Sequence, residues 1–98
     1  MITSLPIKNV EQTLRSKTNV DIFFDINGFK YRLFVKKFDE KVYVPVYVAH
    51  VKQNGLCSFC GKMFGEYTSC EKLSAYEKEL FAHLKTFNSI RLDWLFLA

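Results

Sequence analysis

Histidine is scarce in this chain of 98 residues, with His50 and His83 the only two. That alone disfavours His-rich metal sites and Ser-His-Asp triads, and no His-Glu-x-x-His run occurs. The four glycines, Gly28, Gly55, Gly61 and Gly65, form no G-x-G or G-K-[ST] pattern, so a phosphate-cradling loop is missing. Asp39-Glu40 reads as an exposed turn, and Glu77 and Glu79 beside Lys78 read as a solvated helix face. A Cys-His nucleophile from Cys60 or Cys70 with His50 or His83 has no supporting spacing. The expectation is therefore a protein without catalytic activity. No stretch approaches the roughly 20 apolar residues of a spanning helix. The start, MITSLPIKNV, has no basic segment followed by an apolar run. An odd number of cysteines argues against a secreted disulfide framework. Together these point to a reducing, cytoplasmic setting.

What is present is apolar and aromatic. Hydrophobic residues make up 49% of the chain and aromatics 16%. The first figure is enough for a core and excludes disorder. The second exceeds what a small core absorbs, so some rings should face outward, as on binding surfaces. The length allows one domain, residues 1–98. Net charge is +4 without a Lys/Arg block, a mild bias toward anionic partners. Abundant Lys, Asn, Phe and Tyr match an AT-rich genome, such as that of a phage or mobile element.

The strongest local signal is VDIFFDINGFKYRLFVKKF, residues 20–38. Two alternating runs flank Asn27-Gly28, the pair favoured in a tight type I′ hairpin. That register sets Ile26 opposite Phe29, Phe24 opposite Tyr31, Ile22 opposite Leu33 and Val20 opposite Val35 on a buried face. VYVPVYVAHV, residues 42–51, reads as the next strand. With Asp39-Glu40 as the loop, Val44, Val46, Val48 and His50 join the core, and Tyr43, Pro45, Tyr47 and Ala49 the open face. Pro45 cannot donate to a ladder, which places this strand at an edge or gives it a bulge.

Helices are expected on either side. In SLPIKNVEQTLRSKTN, residues 4–19, Ile7, Val10 and Leu14 recur at helical spacing behind Ser4 and Pro6. In TSCEKLSAYEKELFAHLKTFNS, residues 68–89, Tyr76, Leu80, Leu84 and Phe87 form an apolar stripe. Thr68 with Glu71 and Ser74 with Glu77 are competing capping boxes. IRLDWLFLA, residues 90–98, reads as a final strand. The expected fold is α+β in the order α-β-β-β-(β)-α-β. It comprises one antiparallel sheet of four to five strands with two helices on one face.

Two features carry functional information. LCSFCGKMFGEYTSC holds Cys57, Cys60 and Cys70. Cys57-Ser58-Phe59-Cys60-Gly61-Lys62 has the form of a zinc knuckle, a tight turn whose glycine lets backbone N–H groups point at sulfur. These six positions resemble the first knuckle of the zinc-binding domain of the Clp unfoldase subunit and those of many zinc ribbons. The resemblance implies a tetrahedral zinc with a second Cys-x-x-Cys. Here Leu73 stands where the fourth thiolate belongs, so with Cys70 as third ligand the fourth is His50 or His83. His50 is the better placed, because a turn at Asn54-Gly55 brings it beside Phe59. A redox dithiol and simple burial of reduced cysteines also fit these residues.

The second feature is the open face of the sheet. In the expected register Phe23, Arg32 and Tyr47 form one row, Asp21, Phe34 and Pro45 the next, and Lys30, Lys36 and Tyr43 flank them. Rings interleaved with cations suit single-stranded nucleic acid, which offers bases to stack and phosphates to neutralise. The expected function is an accessory or regulatory module acting on nucleic acid or on an enzyme that processes it. The alternative is an inhibitor or adaptor that docks a protein through this face or the apolar C-terminal strand.

Overall fold

The computed structural model describes residues 5–39, 42–64 and 68–90. Four strands form one antiparallel sheet in sequence order: β1 (Ile7–Ser16), β2 (Asn19–Ile26), β3 (Phe29–Asp39) and β4 (Val42–His50). Two short helices follow, α1 (Glu71–Ser74) and α2 (Glu77–Leu84).

The central hairpin has the register its sequence dictates. Ile26 pairs with Phe29, Phe24 with Tyr31, Ile22 with Leu33 and Val20 with Val35. Asn27 and Gly28 both have positive φ, 53° and 84°, as a type I′ turn demands. All these core-facing side chains except Phe29 are fully buried or nearly so.

The first expected helix is instead β1. The cause is a bulge. Ile7 pairs with Ile26 and Lys8 with Asp25, but Glu11 pairs with Phe23. One extra residue has entered the strand, and Asn9 takes a left-handed φ of 53°. The bulge resets the alternation, so Ile7 and Val10 reach the core together although three residues apart. A bulged strand has thus copied the spacing of a helix.

β4 departs from its expected register for a similar reason. Tyr31 pairs with His50, Leu33 with Val48 and Phe34 with Tyr47, but Val35 pairs with Pro45. Val46 is the extra residue. Val48 and His50 face the core as expected, whereas the bulge turns Pro45 inward and leaves Val44 and Val46 exposed. Tyr43 also packs against the core cluster, which corrects its placement on the open face. A proline beside the bulge on an edge strand costs no ladder hydrogen bond to a further strand.

The segment after β4 is held by side chains. Gln53 accepts from the Lys30 N–H at 3.1 Å and donates to the Lys30 carbonyl at 2.8 Å, standing in for a strand neighbour of β3. Gly55 has φ +116°, and a Cβ there would lie 2.8 Å from the Phe29 ring.

The helical region is split rather than continuous. Tyr76 leaves helical geometry with φ −112° and ψ 23°, and it is 52% exposed, so it does not belong to the apolar stripe. Leu73, Leu80, Phe81 and Leu84 are the buried residues. They join β2, β3 and Val48 of β4 in one core, with Phe87 and Ile90 at its margin. Neither capping box forms a side-chain cap. Ser74 Oγ instead accepts from the Val48 N–H at 2.9 Å, tying α1 to β4. Among the described residues no helix is long and apolar enough to cross a membrane. The expected C-terminal strand lies, apart from Ile90, outside the described residues.

Gly55 and Gly28 make contrasting predictions. Gly55→Ala meets both the Phe29 ring and an unfavourable φ, and should lower unfolding free energy by about 2 kcal/mol. Gly28→Asn keeps a residue that tolerates the left-handed turn and should stay within about 1 kcal/mol of the parent. Urea unfolding of the two variants checks the difference.

Candidate metal centre and open sheet face

Backbone pairing assembles the cysteine cluster. Residues 68–70 run along the end of β4: the His50 N–H donates to the Thr68 carbonyl at 2.7 Å and the Cys70 N–H to the Val48 carbonyl at 2.8 Å. Ala49 and Ser69 form the bridge between them. Side chains alternate along such a pair, so Thr68 and Cys70 turn to the side occupied by Val48 and His50.

The knuckle comes from the opposite direction. The Cys57 N–H donates to the Lys62 carbonyl and the Gly61 N–H to the Cys57 carbonyl, each at 2.8 Å. Gly61 has φ +75°, which allows the tight return. Leu56 and Met63 bridge below it.

The ligand atoms of His50, Cys57, Cys60 and Cys70 all lie within 4.8 Å of one another. The structure therefore brings together the three cysteines with His50. His83 sits on α2 with its ring against Phe87 at 5.5 Å, outside this group. Cys57 Sγ and Cys70 Sγ are 3.7 Å apart, and Cys60 Sγ and His50 Nε2 are 3.3 Å apart. A tetrahedral ion bound at about 2.3 Å by sulfur and about 2.0 Å by nitrogen needs separations of roughly 3.8 and 3.5 Å. The four residues can hold one metal ion.

Neighbouring groups orient and neutralise the set. Thr68 Oγ1 lies 2.9 Å from His50 Nδ1. With Nδ1 donating there, the Nε2 lone pair faces the sulfurs, the usual arrangement behind a ligating histidine. Tyr31, paired with His50 across the sheet, puts its hydroxyl 3.2 Å from Cys57 Sγ. Rings of Tyr31, Phe59 and Phe64 pack around the site.

Titration follows from these contacts. Burial pushes the Cys57 thiol up, but the Tyr31 hydroxyl and the N–H groups of Cys60 and Phe59 outweigh it and bring the thiol below its ordinary value. Burial, with the other thiols nearby, pushes Cys70 up to about 12. Burial raises the Tyr31 phenol, and its bond to Cys57 adds to the rise, so it remains a donor. Burial also lowers His50, and Lys62 adds to the effect, which favours the neutral, ligating ring. Thr68 and Tyr31 were not visible as site residues in the sequence.

The open face keeps most of its expected members in altered rows. Phe23 pairs with Arg32 and Asp21 with Phe34, but Arg32 now meets Ala49 and Phe34 meets Tyr47. The β3–β4 pairing begins at Asp39 and Val42, which moves Tyr47 from Arg32 to Phe34, and the bulge at Val46 removes Pro45 and Tyr43 from this face. Arg32 donates to Asp21, and both are buried at 8% and 2% exposure. Arg15 lies 3.4 Å from the other Asp21 oxygen. The Arg32 guanidinium stands over the rings of Phe34 and Phe23, at 4.5 and 5.3 Å, and Phe34 stacks on Tyr47 at 4.6 Å. Lys30 lies 3.7 Å from both Glu11 and Asp25. Lys36 is exposed and covers the Phe38 ring at 5.2 Å. Arg32 and Phe34 thus form the floor of this surface, while Phe23, Lys30, Lys36 and Tyr47 remain accessible.

No known protein family, curated protein or solved structure matches this chain.

The buried Asp21–Arg32 pair is sensitive to loss of one partner. Asp21→Ala strands a guanidinium in the sheet and should cost about 3 kcal/mol in equilibrium unfolding. Lys30→Ala, at a solvent-exposed pair, should cost less than about 1 kcal/mol.

Proposed function

We propose that this chain is a non-catalytic binding module whose helical side is fastened by one structural zinc ion and whose open sheet face binds single-stranded nucleic acid. The observation that carries the zinc reading is the convergence of His50, Cys57, Cys60 and Cys70 within 4.8 Å. Three thiolates and one imidazole form a soft donor set suited to zinc. Four protein ligands close a tetrahedral shell and leave no position for a substrate or an activated water. That favours a structural metal over a catalytic one.

The face reading rests on chemistry rather than on net charge. Tyr47 and Phe23 are partly exposed rings beside the cations Lys30 and Lys36, and Arg15 borders them over Phe34. Bases can stack on such rings while phosphates meet the ammonium groups. A second reading, a protein-binding adaptor, is favoured by Phe38, Val42, Val44 and Val46, which are exposed near the β3–β4 hairpin end. Phe38 alone is 64% exposed.

Two experiments test these readings. Protein purified without added zinc should carry one equivalent of the metal by atomic emission, and Cys70→Ser should reduce this to a trace. On the face, fluorescence anisotropy with a labelled oligothymidine should show affinity falling about 20-fold between 50 and 200 mM salt, as release from three phosphates requires. Tyr47→Ala and Lys36→Ala should each weaken binding and leave the melting temperature within a few degrees. Absence of binding at 50 mM salt would remove the nucleic-acid reading and leave the protein adaptor.

A further inference from the structure

The three sulfurs of the cluster are not equivalent in their surroundings. Cys57 and Cys70 are buried, at 2% and 0% exposure, while Cys60 is only partly buried. Cys57 receives the Tyr31 hydroxyl at 3.2 Å and the backbone N–H groups of Phe59 and Cys60. Cys70 immediately precedes α1 and has the Cys57 sulfur 3.7 Å away. Cys60 occupies the outward corner of the knuckle, with His50 Nε2 at 3.3 Å behind it.

These differences decide where a reagent first meets the metal centre. A hydrogen bond to a thiolate withdraws electron density from the lone pair that attacks, and burial blocks approach. Both effects protect Cys57, and burial protects Cys70. Resting on the zinc reading above, we propose that Cys60 is a modification site: the sulfur at which peroxides and soft electrophiles enter the metal centre, releasing zinc.

Hydrogen peroxide is the two-electron oxidant. The Cys60 thiolate attacks one peroxide oxygen; the O–O bond breaks, hydroxide leaves, and a sulfenic acid forms. Cys57, on the same knuckle and within 4.8 Å, attacks that sulfur. The S–O bond breaks, a second hydroxide leaves, and an S–S bond forms. Two thiolates have given two electrons to the peroxide, and only His50 and Cys70 would remain to hold the ion. With a maleimide the Cys60 sulfur adds across the C=C bond, water protonates the adjacent carbon, and one zinc–sulfur bond is lost.

The consequence for the fold lies at the helices. Cys70 directly precedes α1. Loss of zinc therefore removes the link between the knuckle and the segment that starts the helical side, while the four-stranded sheet keeps its own ladder.

The test uses the intact, zinc-loaded chain. N-ethylmaleimide or hydrogen peroxide is added below one equivalent. Zinc release is followed with a chromogenic chelator, and modified cysteines are located by peptide mass spectrometry. The expected result is release that tracks modification of Cys60, with a Cys57–Cys60 disulfide under peroxide and Cys70 last to react. In Tyr31→Phe, which loses the donor at Cys57, the Cys57 adduct should rise several-fold relative to Cys60, and zinc affinity should fall by about tenfold. An unchanged adduct ratio in that variant overturns the shielding argument. A zinc-loaded protein modified first at Cys57 or Cys70 overturns this inference and leaves the zinc reading standing. A chain that binds no zinc overturns both.

Discussion

Backbone pairing of residues 68–70 along the end of β4 is the constraint from which the rest of the structure follows. Two hydrogen bonds, from His50 to Thr68 and from Cys70 to Val48, fix the side on which Cys70 emerges. They also set Thr68 behind the His50 ring, so one short ladder supplies one ligand, positions another and begins α1. The knuckle needs only to fold over the same end of the sheet to complete the set. Gln53, bonded twice to the Lys30 backbone, and Gly55, seated on Phe29, lead it there.

A small domain gains much from such an arrangement. A chain of this length buries only about two-thirds of its unfolded surface, and its helices are too short to persist alone. Here α1 has four residues and α2 eight. Their order comes from Leu73, Leu80, Phe81 and Leu84 against the sheet, from Ser74 on Val48, and from Cys70 at the cluster. An ion at that point would tie the knuckle to the paired end of β4 and residues 68–70. Without one, burial and the neighbouring thiols keep Cys70 protonated, and coordination would exchange that proton for the metal.

The sequence was legible where alternation was unbroken. The β2–β3 register could be read pair by pair, because Asn27-Gly28 allows one turn and the apolar residues keep a period of two. Legibility failed where a bulge broke the alternation. In β1 the extra residue at Asn9 put Ile7, Val10 and Leu14 at helical spacing, and no propensity rule distinguishes the two origins. In β4 Pro45 signalled an irregularity but not its direction, so Tyr43 was placed on the wrong face. The same register error hid Tyr31 from the cysteines, since only the true pairing sets it opposite His50. The capping motifs misled for a different reason: Thr68 and Ser74 are taken by tertiary partners, His50 and Val48. The gathering of His50 with the three cysteines was readable, because a turn at Asn54-Gly55 carries the knuckle back to the one histidine that ends β4.

The open face answers to a different balance. Its central arginine is committed to Asp21 and to two rings, so the surface it floors is shaped by Arg32 but engaged by the residues around it. Function there and architecture at the metal end are separable, since the two lie on opposite faces of one sheet. The central claim concerns the metal end, and X-ray absorption at the zinc edge of the protein as purified tests it most directly. The account predicts a first shell of three sulfurs at about 2.3 Å and one imidazole nitrogen at about 2.0 Å. A shell dominated by oxygen, or one with two sulfurs or fewer, would contradict it.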